Sequence, residues 1–128
     1  EGRVHFKGLF NNNSVMDWLD NLDIYAQPSK QEGLPRALIE AMSRGLPCVG
    51  SDVAGIPELL DNGEVFKRGS YHECSKVLLS VIQSDMGRHA DRNFKKSQDF
   101  ELSRLDKIRS DLYIKYRKNI EFKGSKVC

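Results

Sequence analysis

Asp23-Ile24-Tyr25-Ala26-Gln27-Pro28-Ser29-Lys30-Gln31-Glu32-Gly33-Leu34-Pro35-Arg36-Ala37-Leu38-Ile39-Glu40-Ala41-Met42, continued by Ser43-Arg44-Gly45-Leu46-Pro47-Cys48-Val49-Gly50, reads as strand, loop, helix and strand. Residues 23–27 make a strand that Pro28 stops, and Gln31-Glu32-Gly33 is a loop. Pro35 suits the first turn of a helix, where its missing N–H has no partner to lose. Leu38, Ala41 and Met42 give that helix a buried stripe. Gly45 ends it, and Pro47 blocks its continuation before the buried strand Cys48-Val49-Gly50.

The alternation extends both ways. Upstream, Val4-His5-Phe6 reads as a short strand ending at Gly8, and Asn11-Asn12-Asn13 as a polar loop. Ser14 is expected to cap a helix running to about Leu22, since Val15, Trp18, Leu19 and Leu22 share one helical face. Downstream, Ala54-Gly55-Ile56-Pro57 turns into a short helix at Glu58-Leu59-Leu60. Asn62-Gly63 then precedes a strand at Glu64-Val65-Phe66. Residues 71–84 make an amphipathic helix with Cys74, Val77, Leu78 and Val81 inward. Strands spaced by helices imply βαβ units and a mainly parallel sheet. Such sheets bind ligands beyond the carboxyl ends of their strands, so the loops after Gln27, Gly50 and Phe66 are the ones of interest.

The first of these loops carries the chemistry. A helix beginning at Pro35 turns its free N–H groups toward the strand ends, a setting for an anion such as a diphosphate. Gly33 lets backbone approach a ligand with no Cβ in the way. Glu32 in the loop and Glu40 about one and a half turns into the helix are acceptors suited to sugar hydroxyls. Two plainer readings stay open: Glu40 pairs with Arg36 or Arg44 on its own helix, and Glu32 is a solvated loop charge.

Composition sets the bounds. The 128 residues amount to one domain. A net charge of +2 and a mean hydropathy of −0.52 exclude a globally basic nucleic-acid binder and fit a soluble, polar domain. No apolar run nears the ~20 residues of a membrane span, and no signal-peptide pattern opens the chain. Glu1-Gly2-Arg3-Val4 reads like the middle of a protein. Cys48, Cys74 and Cys128 show no metal or disulfide spacing, as expected of reduced cytosolic thiols, and His5, His72 and His89 add no metal cluster. Charge is uneven: residues 1–87 hold 8 basic and 12 acidic side chains, residues 88–128 hold 12 and 6. The chain is therefore read as a parallel α/β core over 1–87 and a basic helical tail over 88–128. In the tail, Leu102, Leu105, Ile108, Leu112 and Tyr116 form one apolar stripe, expected on a single helix over 98–118.

Glu32 and Glu40 have the spacing of the glutamate–seven-residue–glutamate motif, and the run resembles that of retaining nucleotide-sugar glycosyltransferases of the GT-B fold, glycosyltransferase family 4 (group 1). Asp23-Ile24-Tyr25-Ala26-Gln27-Pro28-Ser29 resembles the family's strand before the motif. Glu40 through Val49 resembles its helix–turn–strand. Ser51-Asp52-Val53-Ala54-Gly55-Ile56-Pro57-Glu58 resembles its next loop, with Ala54 where Gly is common. The likeness covers roughly residues 4–85; the helix ending near Tyr116 fits more loosely.

The resemblance implies an α/β fold, the Rossmann-like C-terminal domain that holds the donor. Glu32 would be the catalytic residue near the transferred sugar. Glu40 would bind the ribose hydroxyls, and Gly33, Leu34 and Pro35 would complete the donor site. No metal and no cofactor beyond the nucleoside diphosphate sugar are expected. Attack and departure on one face would retain the anomeric configuration. Two further strand–helix units with the phosphate-gripping Arg and Lys, and a whole acceptor domain, are missing relative to the family. The chain is thus expected to be a donor-domain fragment, inactive alone, whose first strand lacks its usual neighbours. The parent would transfer sugar to a saccharide or lipid-linked acceptor in polysaccharide or glycoconjugate synthesis. It would work in the cytoplasm, at the inner face of the membrane through a peripheral contact, with a homodimer as a further expectation. A non-catalytic fragment and a nucleotide-sugar epimerase on the same fold are the alternatives.

Overall fold

The computed structural model describes residues 2–124, and their side chains apart from those of 12, 13 and 118–124. The chain divides into two compact units, residues 1–97 and 98–128. In the first unit the order is α1 (Asn12–Leu19), β1 (Tyr25–Gln27), α2 (Arg36–Ser43), β2 (Cys48–Ser51), α3 (Ile56–Leu59), a 3-10 turn (Asn62–Glu64), β3 (Val65–Phe66), α4 (Tyr71–Gln83) and α5 (Met86–Ser97). The three strands form one parallel sheet in the order β1-β2-β3, with Tyr25 opposite Cys48 and Gly50 opposite Val65. This is the small helix-flanked parallel sheet of a partial Rossmann-like domain.

β2 is central and buried at every residue. Its side chains alternate between the two faces of the sheet. Val49 packs with Phe66 and with Val81 of α4, and Ile24, Cys74, Val77 and Leu78 close in around them. Cys48 is turned the other way, toward Asn93 of α5. Leu38, Ala41 and Met42 of α2 are fully buried, as the periodicity predicts.

Several boundaries differ from the sequence reading. Val4-His5-Phe6 is not a strand. Val4 is 74% exposed and Phe6 97%, and neither pairs with a neighbour. A strand exists only where a ladder partner satisfies it, and the pattern alone cannot supply one. The helix cap is Asn11 rather than Ser14: Asn11 Oδ1 accepts from the Ser14 backbone N–H (2.8 Å) and hydroxyl (2.6 Å). The Asn triplet thus starts α1, because an Asn carbonyl serves as a cap as well as Ser. α1 ends at Leu19, short of Leu22, and α3 begins at Ile56 rather than Glu58. Glu64 is not a strand residue. It ends the 3-10 turn, and its carboxylate accepts from the Asp61 backbone N–H while Asp61 caps the turn from the other side.

The second unit holds a short 3-10 turn (Gln98–Phe100) and α6 (Leu102–Gly124). Arg104 pairs with Asp99 and Arg109 with Asp106. Among the described residues no helix is long and apolar enough to cross a membrane.

Candidate functional site

The segments that follow β1, β2 and β3 border one cleft of about 440 Å³ at the carboxyl end of the sheet, lined among others by Lys30, Glu32, Asp52, Ala54, Lys67 and Arg68. The loops are tied together around it. Ser51, wholly buried at the end of β2, donates to the Ser29 carbonyl over 2.7 Å. Asp52 accepts from the Arg68 backbone N–H over 2.6 Å, and the Arg68 guanidinium reaches the Lys30 carbonyl. Gly55 allows the β2 loop to lie against the β1 loop: a Cβ there would stand 3.2 Å from the Gly33 carbonyl oxygen and 3.3 Å from the Pro35 ring. Ala54, beside it, has φ of 42°, a left-handed backbone that costs an alanine about 1–2 kcal/mol.

Glu32 sits half-buried in this cleft. Its Oε1 accepts from Ser29 Oγ at 2.5 Å and from Gln27 Nε2 at 2.7 Å. Those two bonds, Ser29's first, hold its carboxyl below the usual carboxylate range against a smaller opposing effect of burial. Gly33 is open to solvent with no atom within 4 Å of where a Cβ would be, and Leu34 is exposed. Pro35 is buried at the entry to α2, whose first turn receives no side-chain cap. The Arg36 N–H turns back to the Leu34 carbonyl over 2.9 Å, and those of Ala37 and Leu38 are left for a ligand.

Glu40 lies half-buried on α2 and is not among the residues lining the cleft. Neither Arg36 nor Arg44 pairs with it among the described residues: Arg44 instead grips Asp20 in a two-pronged pair at 2.5 and 2.6 Å. What links the two glutamates is Tyr25. Its phenol is pushed up to about 12, chiefly by burial, with the carboxylates of Glu32 and Glu40 adding to the effect. The five residues singled out from the motif thus fall into a cleft carboxylate, an uncapped helix entry, and a second carboxylate farther along that helix.

Residues that the sequence reading did not single out complete the picture. Tyr25, Gln27 and Ser51 support Glu32, and the only sequence signal was a glutamine on an otherwise apolar strand. A second network ties α5 to the sheet. The buried Glu64 carboxylate accepts from His89 Nδ1 at 2.5 Å and from Arg92, which also reaches Asp61 and Asn93. Asn93 Nδ2 donates to the Leu46 carbonyl over 2.8 Å. Burial, with help from Glu64, raises the Cys48 thiol to about 12, so it stays neutral and inert.

Residues 1–83 match the protein family described as glycosyl transferases group 1. Protein CapJ of Staphylococcus aureus is 29% identical over 94% of this chain and 32% of its own length. The amylovoran biosynthesis glycosyltransferase AmsK of Erwinia amylovora is 34% identical over 66% of this chain and 23% of its own. An Escherichia coli UDP-Gal:alpha-D-GlcNAc-diphosphoundecaprenol alpha-1,3-galactosyltransferase is 31% identical over 80% of this chain and 28% of its own. The chain therefore spans about a quarter to a third of the length of these relatives.

Proposed function

The chain belongs to the group 1 glycosyltransferases, and from that premise we propose that it carries donor-binding machinery of an enzyme that moves a sugar from a nucleoside diphosphate sugar to an acceptor. The observation that supports this most directly is the Glu32 carboxylate, fixed at the strand ends beside the uncapped entry of α2. In this reading the backbone N–H groups of Gly33, Leu34, Ala37 and Leu38 receive oxygens of the sugar or of the diphosphate. Lys30, Lys67 and Arg68 offset its charge from across the cleft. Glu32 accepts hydrogen bonds from hydroxyls of the transferred sugar, and Glu40, which has no ion-pair partner among the described residues, accepts them from the ribose. Attack on the face that the diphosphate leaves, with the leaving phosphate taking the acceptor's proton, retains configuration, as in glycosyltransferase family 4.

The acceptor is a saccharide or a lipid-linked saccharide of envelope polysaccharide synthesis, in keeping with what the names of the relatives say of them, and its site lies outside these residues. The enzyme works at the cytoplasmic membrane surface through a peripheral contact, and α6 carries a self-association surface.

Substitution separates the two glutamates. Glu40→Ala removes hydrogen bonding to a charged acceptor, worth roughly 1.5–3 kcal/mol in all, and should weaken donor binding about ten- to a hundredfold. Glu32→Ala should lower turnover of the complete transferase more than its donor affinity, because it acts beside the sugar in transfer. Calorimetric donor titration together with steady-state kinetics checks both, and equal effects of the two substitutions on affinity and turnover would sink the assignment.

A further inference from the structure

Every hydrogen bond that reaches the Glu32 carboxylate arrives at one oxygen. Gln27 Nε2 and Ser29 Oγ both donate to Oε1, and Oε2 has no protein partner among the described residues. Chemistry sets the direction of each bond. An ionised carboxylate only accepts, so Ser29 turns its hydroxyl proton, and Gln27 its amide N–H, toward Glu32. The far end of that amide is also committed, since Tyr25 Oη donates to Gln27 Oε1 over 2.5 Å. Flipping the amide would set its carbonyl against a carboxylate, two acceptors face to face. Gln27 Nε2 also stands 3.1 Å from Ser29 Oγ, so the same side of the amide meets both oxygens while its carbonyl end is held by Tyr25. Tyr25 and Gln27 stand two apart on β1 and so share a face. The backbone beneath Ser29 is pinned by the buried Ser51.

Resting on the reading of Glu32 as a donor-site residue, we propose that Tyr25, Gln27 and Ser29 are positioning residues. They form a directed chain of hydrogen bonds, Tyr25 to Gln27 and then Gln27 and Ser29 to Glu32, that clamps Oε1 and reserves Oε2 for the ligand. Two donors on one oxygen favour the charged form and discourage the carboxyl from serving as a proton donor. They also cut the rotamers open to an otherwise solvated loop glutamate, so the acceptor is in place before the ligand arrives. Gln27 matters most in this arrangement, because it alone touches all three partners, and Tyr25 acts only through it.

The test reads the proton on Glu32 rather than sugar transfer. In the 128-residue chain labelled with carbon-13 at glutamate, the Glu32 carboxyl carbon is followed through acid titration by NMR. Lys30, Asp52, Lys67 and Arg68 border the same cleft, and Glu40 acts on the same tyrosine; all stay unchanged in every variant, so their field is constant. Ser29→Ala and Gln27→Leu should each raise the Glu32 midpoint toward that of an ordinary glutamate. Ser29→Thr, which keeps the hydroxyl, should leave it in place. Tyr25→Phe should raise it in the parent chain, but should add nothing when combined with Gln27→Leu. Tyr25→Phe and Ser29→Thr change so little volume that they keep the test alive if Gln27→Leu does not fold. An unmoved midpoint in Ser29→Ala and Tyr25→Phe chains with native amide spectra overturns the relay. Titration with UDP-galactose runs in parallel and keeps the two claims apart. An intact relay in a chain that binds no UDP-galactose upholds the relay and counts against the donor-site reading, whereas a midpoint insensitive to all variants in a chain that binds it does the reverse.

Discussion

At Gly50 the sheet leaves no room for a methyl group. A Cβ there would stand 2.5 Å from Ile56 Cγ2 and 3.2 Å from Leu60 Cδ1, and both of those side chains are buried. Ile56 belongs to the four-residue α3, which lies against β2 and leads away from the cleft loop, so it cannot retreat without moving the loop that contains Gly55. Overpacking of this kind costs about 1–3 kcal/mol. Gly50→Ala is therefore expected to lower unfolding stability by that amount in urea, and to loosen the junction at Gly33 and Pro35 that Gly55 permits. A Gly50→Ala chain as stable as the parent would mean that α3 shifts freely, contrary to its packing. The contrast with Gly33 is informative, since a Cβ there meets nothing. Gly50 lies within β2 and Gly33 in the loop that follows β1, and one is required by packing while the other leaves space that a ligand can use.

Among the elements, α5 shows how a polar helix can be structural. Its sequence, Met86 through Ser97, carries Arg88, Arg92, Lys95 and Lys96 and looks like a solvated tail. Yet Asn93 is fully buried and Ser97 nearly so. Asn93 fastens α5 to the turn between α2 and β2 through the Leu46 carbonyl, and accepts from Arg92, whose other bonds run to Glu64 and Asp61. Asn93→Ala would leave the buried Leu46 carbonyl with only the weak Cys48 thiol as donor, at about 1–3 kcal/mol. The expected result is a lower midpoint of thermal unfolding with the parent secondary structure kept, checked by circular dichroism. An unchanged midpoint would show that water replaces the amide. The same helix explains why part of the fold was legible and part was not. α2 and α4 announce themselves by apolar residues at helical spacing, and β2 by an apolar run between Pro47 and the following turn. α5 is held by polar groups whose partners lie 25 to 47 residues away, and periodicity counts such groups as solvent-facing. The cleft divides in the same way. Glu32 and its strand–loop–helix setting could be read from local order, whereas the bond from Ser51 to Ser29 exists only because β1 and β2 pair in parallel with Gln27 opposite Gly50.

At the scale of the whole molecule the question is what the second unit does. Among the described residues, every buried apolar side chain of the core lies before residue 98. The stripe expected on the tail helix is present on α6, but Leu102, Ile108, Leu112 and Tyr116 are all exposed, and Tyr113 and Ile114 widen the apolar surface beyond the stripe. Apolar side chains of this size are worth about 1.5–3 kcal/mol each when removed from water, so even partial burial of several of them favours association over exposure. The polar remainder of the helix holds Lys107, Asp111 and Lys115, and the intrahelical Arg109–Asp106 pair has already satisfied part of its charge. Association through the stripe should therefore survive added salt, unlike binding through basic side chains to an anionic surface, which salt screens. Sedimentation of the 128-residue chain at micromolar concentration is expected to show concentration-dependent self-association that persists in high salt. Leu112→Lys should weaken it by placing a charge in the stripe. A chain ending at Ser97 should remain folded and sediment as a monomer, since it keeps the whole buried core. A monomeric parent chain across that range would overturn the self-association proposed for α6, and a parent whose association dissolves in salt would assign the tail to charge rather than to its apolar face.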